Sequence, residues 1–305
     1  MSRAVPAVAA GLKGPTGGIL LVLAAAVLWS TSGVFIKVLT LSAFPLTGLR
    51  AAIAFLALLP FVRLRAVRLD GTLAVLVSAF AATNLLFVVA TRWTTAANAI
   101  ALMSTAPAWV FLFGCLVARR VRLLPLFPLA LVLGGIAAML SEPAEGTSLQ
   151  GNVLGLVAGI TFAVMLIALS RINQPPVGAV ALCNLGTAAG CLVLQPGAFR
   201  LAFIPGWEWL ILVYLGTMQI GLAFLIFTMG MQRITVAQAS ILVLLEPLLN
   251  PVWVYLAIGE LPSGYGFSGY GLILSGILAD QWLRLRLPGV QRPGGSVDVT
   301  ARGPG

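Results

Sequence analysis

The chain has 305 residues, of which 60% are hydrophobic and only 9% are charged, and its mean hydropathy is +1.06. These values exclude a soluble globular protein and indicate an all-α polytopic membrane protein. The net charge of +10 would suggest nucleic-acid binding in a soluble protein, but here the positive-inside rule accounts for it.

Ten apolar runs are each long enough for a membrane helix, which requires about 20 residues. We predict helices 1 to 10 at roughly 17–40, 45–62, 71–91, 95–118, 123–141, 150–170, 177–194, 207–231, 235–258 and 264–283. Residues 1–16 form a cytoplasmic N-terminal segment, and helix 1 reads as a retained span rather than a cleaved signal peptide. Residues 288–305, rich in Gly and Pro, are predicted to form a disordered cytoplasmic tail.

The charges predict the orientation of the helices. With the N-terminus inside, the basic residues share the cytoplasmic side: Arg3, Lys13, Arg63, Arg65, Arg68, Arg119, Arg120, Arg122, Arg171, Arg233, Arg284, Arg286, Arg292 and Arg302. The opposite side collects Glu142, Glu145, Glu208 and Glu260. Both termini are therefore predicted to be cytoplasmic. Lys37 and Arg50, near the outer ends of helices 1 and 2, are expected to snorkel to the membrane surface; binding of a substrate carboxylate from the outer vestibule is the alternative.

The two halves of the chain resemble each other. A shift of 140 positions gives eight identities within residues 85–116, which pair Leu85, Phe87, Thr95, Ala97, Ala99, Leu102, Pro107 and Leu116 with Leu225, Phe227, Thr235, Ala237, Ala239, Leu242, Pro247 and Leu256. Coincidence among common helix formers is the alternative. The same shift matches helices 3 and 4 with helices 8 and 9, so each repeat, 17–141 and 150–283, holds five helices. An odd repeat inserts inverted, as in many secondary transporters.

The residue types present argue against an intramembrane enzyme. The chain has no histidine, so His-based catalysis, haem ligation and common zinc sites are absent. No catalytic residues, metal site or cofactor are predicted. The three cysteines, Cys115, Cys183 and Cys191, fall within predicted helices and are expected to be buried apolar thiols.

Glu246 is unfavourable in the middle of a predicted membrane helix, because inserting a carboxylate there costs about 2.5–3.5 kcal/mol of free energy. One reading is functional: a proton site or a partner for a substrate amine. The structural reading, which we favour, is that Glu246 satisfies backbone groups freed where Pro247 and Pro251 interrupt helix 9. Pro107 and Pro247, at equivalent positions of the two repeats, are the predicted hinge pair.

Hydrogen-bonding and aromatic side chains recur on single faces of the central helices. Amides and hydroxyls would bind the polar head of an amphipathic molecule, and aromatic rings would pack against its apolar body. For each aromatic residue, contact with lipid or a neighbouring helix is the alternative. The predicted cavity residues are Trp29, Ser30, Ser32, Phe80, Asn84, Phe87, Asn98, Thr105, Trp109, Phe162, Tyr214, Met218, Gln219, Gln238, Glu246, Asn250 and Trp253.

Three segments resemble a known family. They are VLWSTSGVFIKVL in helix 1, ALMSTAPAWVFLFGCL in helix 4 and LLEPLLNPVWVYLAIGELP in helix 9. The chain thereby resembles the drug/metabolite transporter superfamily and its EamA-type ten-helix carriers, and within it the bacterial exporters of aromatic amino acids. The Glu-Pro step of helix 9, followed by Gly259 and Glu260, is the most specific part of this resemblance.

The resemblance implies a secondary transporter that exports aromatic and other neutral amino acids by alternating access through a central cavity. An exporter of other metabolites or drugs is the alternative, and a channel is a further one. The expected partners are a small-molecule substrate and membrane lipid, with no nucleic acid, in a monomer or weak dimer. Arginine outnumbers lysine 16 to 2, which suggests a GC-rich bacterial genome and hence a multi-pass protein of the bacterial inner membrane.

Overall fold

The computed structural model is built of helices throughout the part of the chain that it describes. This part comprises residues 14–63, 67–118, 126–141, 148–172, 174–199, 204–231, 233–234 and 242–286. Several predicted features lie outside it: the N-terminal segment to residue 13, the tail from residue 287, Gln238, Arg65, Arg119, Arg120, Arg122, Glu142 and Glu145. The side chain of Cys115 is also outside it.

Helical segments occupy all ten predicted runs, and we number them α1 to α10. In the first half, α1 comprises Gly14–Ser30 and Ser32–Val38, α2 is Ala43–Leu58, and α3 is Gly71–Trp93. Next, α4 comprises Ala96–Met103 and Ala106–Ala118, and α5 is Leu126–Leu140. A short 3₁₀ turn, Leu59–Phe61, extends α2.

The second half has the same number of helical segments among its described residues. Here α6 is Leu149–Leu169 and α7 is Pro176–Leu194. Segment α8 comprises Gly206–Tyr214, a π-helical stretch Leu215–Leu222, and Ala223–Met231. Finally, α9 is Leu245–Ile258 and α10 is Gly264–Arg286.

Seven of these segments are long and apolar enough to cross a membrane. They are Gly14–Val38, Ala43–Phe61, Gly71–Trp93, Ala96–Gly114, Leu149–Leu169, Pro176–Leu194 and Gly206–Met231. Phe127–Leu140 and Leu245–Ile258 are shorter apolar helices. The structure thus establishes a multi-helix membrane protein, whereas membrane crossing by α5, α9 and α10, and the inverted arrangement, stay predictions.

Two helices break at positions that the internal repeat makes equivalent. α4 is interrupted by turn residues at Ser104 and Thr105, just before Pro107. A turn residue at Leu244 precedes α9, just before Pro247. Proline removes one helical N–H and clashes with the carbonyl four residues earlier, which explains a break on the N-terminal side of each proline. A shift of 140 positions places Ser104 on Leu244.

Glycines let helix backbones approach closely, and Gly135, Gly155 and Gly159 do so here. A Cβ added at Gly135 would lie 2.5 Å from the backbone oxygen of Gly269, so α5 and α10 pack backbone to backbone. A Cβ added at Gly159 would lie 2.7 Å from the backbone oxygen of Leu102, so α6 approaches α4 closely at this glycine. Gly134 does not share this role, because its nearest neighbouring atom would be 4.0 Å away.

The buried thiols and a group of outer tryptophans differ in exposure. Cys183 and Cys191 are free and buried, as predicted. Four tryptophans are exposed by 44–56%: Trp93, Trp207, Trp209 and Trp282. Their exposure agrees with contact to the lipid interface rather than with a place in the core.

The α2–α3 and α7–α8 joints occupy equivalent places in the two repeats and provide a topology test. Arg63 and Gln195 are exposed at these joints, and an inverted repeat puts them on opposite membrane faces. Single cysteines at positions 63 and 195, in a cysteine-free background, should therefore react with membrane-impermeant thiol reagents from opposite sides.

A cysteine at Arg171, exposed at the α6–α7 joint, is the matched control and should react from the same side as position 63. Labelling of positions 63 and 195 from one side would rule out the inverted arrangement.

Candidate functional site

Segments α1 and α9 touch through an asparagine and a glycine. A Cβ at Gly33 would lie 2.5 Å from Asn250 Oδ1 and 2.9 Å from Nδ2, so the amide lies directly on the α1 backbone. Asn250 is fully buried, and neither of its side-chain polar atoms has a hydrogen-bond partner in the part of the chain that the structure describes. Buried amides almost always find partners, so this residue is exceptional.

More unpartnered polar atoms lie nearby on α1. The indole Nε1 of Trp29 and the hydroxyl of Ser32 are buried without hydrogen bonds. Ser30 differs, since its hydroxyl donates to the Val27 oxygen at 2.7 Å and accepts from Trp253 Nε1 at 3.0 Å. The contact between α1 and α9 therefore combines satisfied and unsatisfied groups within one helical turn.

An aromatic cluster adjoins this polar contact. The Trp29 ring lies 4.7 Å from Phe224 and 5.0 Å from Phe227 on α8, measured between ring centroids. Phe80 on α3 lies 4.9 Å from the same Phe224 ring. The interplanar angles are 54–57°, in the tilted geometry that aromatic pairs favour over face-to-face stacking. Phe224 thus joins two predicted cavity residues.

Glu246 is 8% exposed and lies in the first turn of α9. Backbone N–H groups at a helix N-terminus lack intrahelical partners and favour a nearby carboxylate. The structural and the functional readings of Glu246 both stay predictions. It is also one turn before Asn250, so both lie on the same face of α9.

The predicted α4 residues form a self-contained pair. Thr105 is fully buried, and its hydroxyl donates to the Leu102 oxygen at 2.6 Å and accepts from Trp109 Nε1 at 3.0 Å. The polar side chains at the break in α4 therefore find their hydrogen-bond partners within α4 itself. The Trp109 ring itself is partly exposed.

The α8 residues diverge in direction around the π-helical stretch. Tyr214 is partly buried, with its hydroxyl 3.1 Å from Thr31 Oγ1 and its ring at an edge to Phe35. Gln219 is 7% exposed and its Oε1 has no partner. Met218 is 42% exposed and points away from that buried side.

Arg50 does not reach the membrane surface, so the snorkelling expectation is wrong for this residue. It is 2% exposed in the interior of the bundle. Its Nη2 donates to Asn84 Oδ1 at 3.2 Å, while Nε and Nη1 have no partners. The surface is out of reach because α3, α7 and the π-helical stretch of α8 all pack against α2.

A second polar cluster closes one end of the bundle, and we call it the end network. Lys37 Nζ lies 2.8 Å from Glu260 Oε2 and donates to the Thr94 oxygen at 2.8 Å. The other Glu260 oxygen accepts from the backbone N–H of Ala96 at 2.7 Å and so caps α4. Gly259 ends α9 in the left-handed conformation, which turns the chain toward this contact. Lys37 is therefore paired rather than snorkelling.

Further bonds strengthen the end network. Glu208 is fully buried, and its Oε1 accepts from the backbone N–H and the hydroxyl of Thr40, at 3.2 and 2.6 Å. Arg92 Nη2 donates to the oxygens of Leu39 and Leu41 at 2.6 and 2.7 Å. The Glu208 bonds tie the second half of the chain to the first at this end, and the Arg92 bonds join α3 to the segment after α1 within the first half.

The predicted site residue Asn98 belongs to this end rather than to the α1–α9 contact. Its Nδ2 donates to Asn152 Oδ1 at 3.4 Å, and that oxygen also accepts from the Thr94 hydroxyl at 2.6 Å. Asn152 Nδ2 donates to the Met139 oxygen at 2.8 Å. Asn152 thus uses both ends of its buried amide.

The predicted residues therefore divide into groups. Those at or next to the α1–α9 contact are Trp29, Ser30, Ser32, Glu246, Asn250 and Trp253. Phe80 and Asn84 lie beside Phe224 and Arg50, while Phe87 and Phe162 are core residues around α3 and α6. Sequence reasoning missed Phe224, Asn152, Thr94 and Arg92. Their only sequence signal is a polar or aromatic side chain in an apolar run.

Comparisons with known proteins identify one family, one relative and one solved structure of similar fold. The model of the EamA-like transporter family matches residues 16–141 and 149–279. An "uncharacterized transporter" of Archaeoglobus fulgidus is 31% identical over 255 residues, covering 83% of this chain and 92% of the relative. A solved crystal structure is similar in fold, with a TM-score of 0.63 at 23% identity, covering 89% of this chain and 99% of the other.

Asn250 and Asn152 are equally buried but differ in their partners, which makes them a matched pair. Replacing Asn250 by Leu removes two unpartnered polar atoms, so the thermal midpoint should stay equal or rise while transport falls about tenfold or more. Replacing Asn152 by Leu breaks satisfied bonds and should destabilise by about 1–3 kcal/mol. Thermal unfolding in detergent and liposome uptake measure the two effects. Equal destabilisation by both variants would make Asn250 a structural residue.

Proposed function

The chain belongs to the EamA-like transporter family, and from this membership we propose that it is a secondary carrier of the bacterial inner membrane that exports small amphipathic metabolites. As a multi-pass membrane transporter it is not an enzyme. The proposed substrates are aromatic and other neutral amino acids. The proposed mechanism is alternating access through a central cavity between two inverted repeats.

The unpartnered polar atoms at the α1–α9 contact carry this proposal. Each buried polar group without a hydrogen bond costs about 1–3 kcal/mol, and Trp29, Ser32 and Asn250 contribute four such atoms. A structural role would favour apolar side chains at these positions. A polar ligand that visits the contact would satisfy these atoms, which supports binding between the two halves of the chain.

The aromatic cluster supports an amphipathic substrate. The Trp29 indole carries one of the unpartnered atoms, and its ring packs on Phe224, which packs in turn on Phe80. Polar groups on one side and aromatic faces on the other match a molecule with a polar head and an apolar ring. Neutral amino acids with aromatic side chains have this character.

The end network supports gating. In the predicted topology it lies on the outer side, where Lys37 and Ala96 of the first half contact Glu260 of the second. Lys37 also donates to the Thr94 oxygen within the first half. A carrier must close one side of its site before it opens the other, and polar bonds between the two halves can open without exposing a large apolar surface. We propose that the end network is the outer gate.

The two breaks before Pro107 and Pro247 support the repeat. Discontinuous helices at corresponding positions of two halves are typical of secondary transporters and flank their substrate sites. The two stretches that match the family model, 16–141 and 149–279, are of similar length. Both observations agree with two five-helix repeats and with hinges at the prolines.

Purified protein in liposomes tests the proposed function directly. Uptake of labelled phenylalanine should saturate, and unlabelled phenylalanine on the far side should accelerate it by exchange. Ohmic single-channel currents would favour a channel instead. Saturable uptake of other metabolites with no uptake of amino acids would reject the proposed substrate class but leave a carrier.

Substrate preference follows from ring packing. Aromatic pairs are worth about 0.5–1.5 kcal/mol beyond apolar burial, and 1.4 kcal/mol is tenfold in an equilibrium constant. Phenylalanine and tryptophan should therefore compete several-fold better than alanine and serine. Replacing Trp29 or Trp253 by Leu should compress that preference, because Trp29 belongs to the aromatic cluster and Trp253 bonds Ser30 at the α1–α9 contact. Equal inhibition by all four amino acids would reject an aromatic-preferring site.

Weakening the outer gate should expose the site to the outside. Ser32 is buried, so a cysteine there should react slowly with an impermeant thiol reagent added outside. Replacing Lys37 by Gln should raise that rate by about two- to fivefold, because a partly exposed ion pair contributes up to about 1 kcal/mol. Glu260→Gln should act in the same direction.

The control for this experiment is Arg63→Gln, which removes a charge from an exposed site away from the gate. It should leave the labelling rate at position 32 unchanged. A rate that neither gate variant changes would show that the end network is only structural.

A further inference from the structure

Arg50 is a cation in the interior of a membrane protein. Among the described residues it is the largest side chain that is fully buried, with 2% of its surface exposed. A guanidinium keeps its charge at neutral pH, and a charge inside a membrane segment almost always has a partner or faces a substrate path. The question is what neutralises this one.

Among the described residues, Asn84 alone accepts a hydrogen bond from the guanidinium. Nη2 donates to Asn84 Oδ1 at 3.2 Å, and Asn84 Nδ2 donates in turn to the Phe80 oxygen at 3.0 Å. The second bond fixes the amide so that its oxygen faces Arg50. The N–H groups on Nε and Nη1 have no acceptor. The Asn84 contact therefore positions the guanidinium and leaves most of its donors available.

No carboxylate pairs with Arg50 among the described residues, where the one ion pair is Lys37 with Glu260. Arg92 offers a contrast, because its Nη2 donates to two backbone oxygens. Thr47, one turn before Arg50, is also fully buried with an unpartnered hydroxyl. Residues three apart share a helix face, so both donors lie on the same side of α2.

The neighbours of Arg50 connect it to the aromatic cluster. Asn84 is bonded to the carbonyl of Phe80, whose ring packs on Phe224, which in turn packs on Trp29. The guanidinium donors and the aromatic rings thus lie on adjoining parts of α2, α3, α8 and α1. A molecule with a carboxylate and an apolar ring has the two groups that this arrangement would satisfy.

We propose that Arg50, positioned by Asn84, binds the carboxylate of the transported molecule inside the bundle. This inference rests on the proposed function and narrows its substrate class to monocarboxylates, with amines and amides that lack a carboxylate excluded. An arginine matches a carboxylate through parallel N–H donors, which lysine cannot reproduce. Because the side chain is closed off from solvent in this state, binding requires the bundle to open around α2.

Binding to purified full-length protein in detergent provides the first test, read as ligand-induced thermal stabilisation. The probes are phenylalanine, 3-phenylpropionate, which lacks the amine, and phenylalaninamide, which lacks the carboxylate. Phenylalanine and 3-phenylpropionate should stabilise the protein at concentrations about tenfold or more below those needed for the amide, since bonds to a charged group are the strong ones.

Variants then assign this difference to Arg50. Arg50→Gln should weaken phenylalanine binding about tenfold or more and leave the amide unchanged, and Arg50→Lys should restore it only in part. Asn84→Ala keeps the charge and should give a smaller loss. The charge-matched control Arg63→Gln should bind like the unmodified protein. Equal stabilisation by phenylalanine and its amide in the unmodified protein would overturn the proposal, and so would a carboxylate preference that survives in Arg50→Gln.

Uptake into liposomes separates this proposal from the proposed function. Phenylalanine uptake that the amide inhibits as well as phenylalanine does would reject the role of Arg50 and leave the carrier in place. Arg50-dependent binding without uptake would reject the carrier and leave the carboxylate site. If Arg50→Gln does not fold, the probe comparison in the unmodified protein and in Asn84→Ala still decides the outcome.

Discussion

Hydrocarbon offers no hydrogen bonds, so every polar group inside this bundle depends on a partner within the protein. Most of the described polar side chains meet this demand locally. Thr83, for example, donates to the Ala79 oxygen and lies 2.9 Å from the Thr161 hydroxyl on α6. Against this background the unpartnered atoms are informative, because an evolved membrane interior has no structural reason to keep them. Five of the residues that carry them are Trp29, Ser32 and Asn250 on α1 and α9 and Arg50 and Thr47 in α2. Others, such as Asn184, Glu208 and Gln219, lie elsewhere among the described residues.

The polar residues at the end of the bundle differ from those at the α1–α9 contact in how far their hydrogen bonds are satisfied. At the end of the bundle, Glu260 receives a salt bridge and a backbone N–H, and Glu208 accepts twice from Thr40. These bonds join segments that are far apart in sequence. At the α1–α9 contact, in contrast, Asn250 lies on Gly33 with both polar atoms unused. A closed end beside an unsatisfied interior is the arrangement that a gated carrier requires.

Composition and periodicity predicted where the helices lie, because an apolar run of about 20 residues has few alternatives in a membrane. The same signals also located Asn250, Trp29 and Glu246 as residues too polar or too large to be neutral. They did not predict the burial of Arg50, since snorkelling and burial depend on which helices surround α2. Nor could they pair Lys37 with Glu260, which are more than 200 positions apart in the chain. Long-range partners depend on tertiary packing, and a single sequence carries no record of it.

The equivalent breaks in α4 and α9 show how two related halves can come to differ. After the first break, Thr105 bonds the Leu102 oxygen and the Trp109 indole, so the polar groups there are satisfied within one helix. After the second break, Glu246 and Asn250 occupy the same face of α9, and the Asn250 amide has no protein partner. Under the proposed repeat, one half therefore keeps a rigid, self-satisfied kink and the other presents its polar groups across the interface to α1. If both breaks left polar groups without partners, the protein would have two competing sites. Because only the break before α9 does so, its unpartnered groups lie at a single place, the α1–α9 contact.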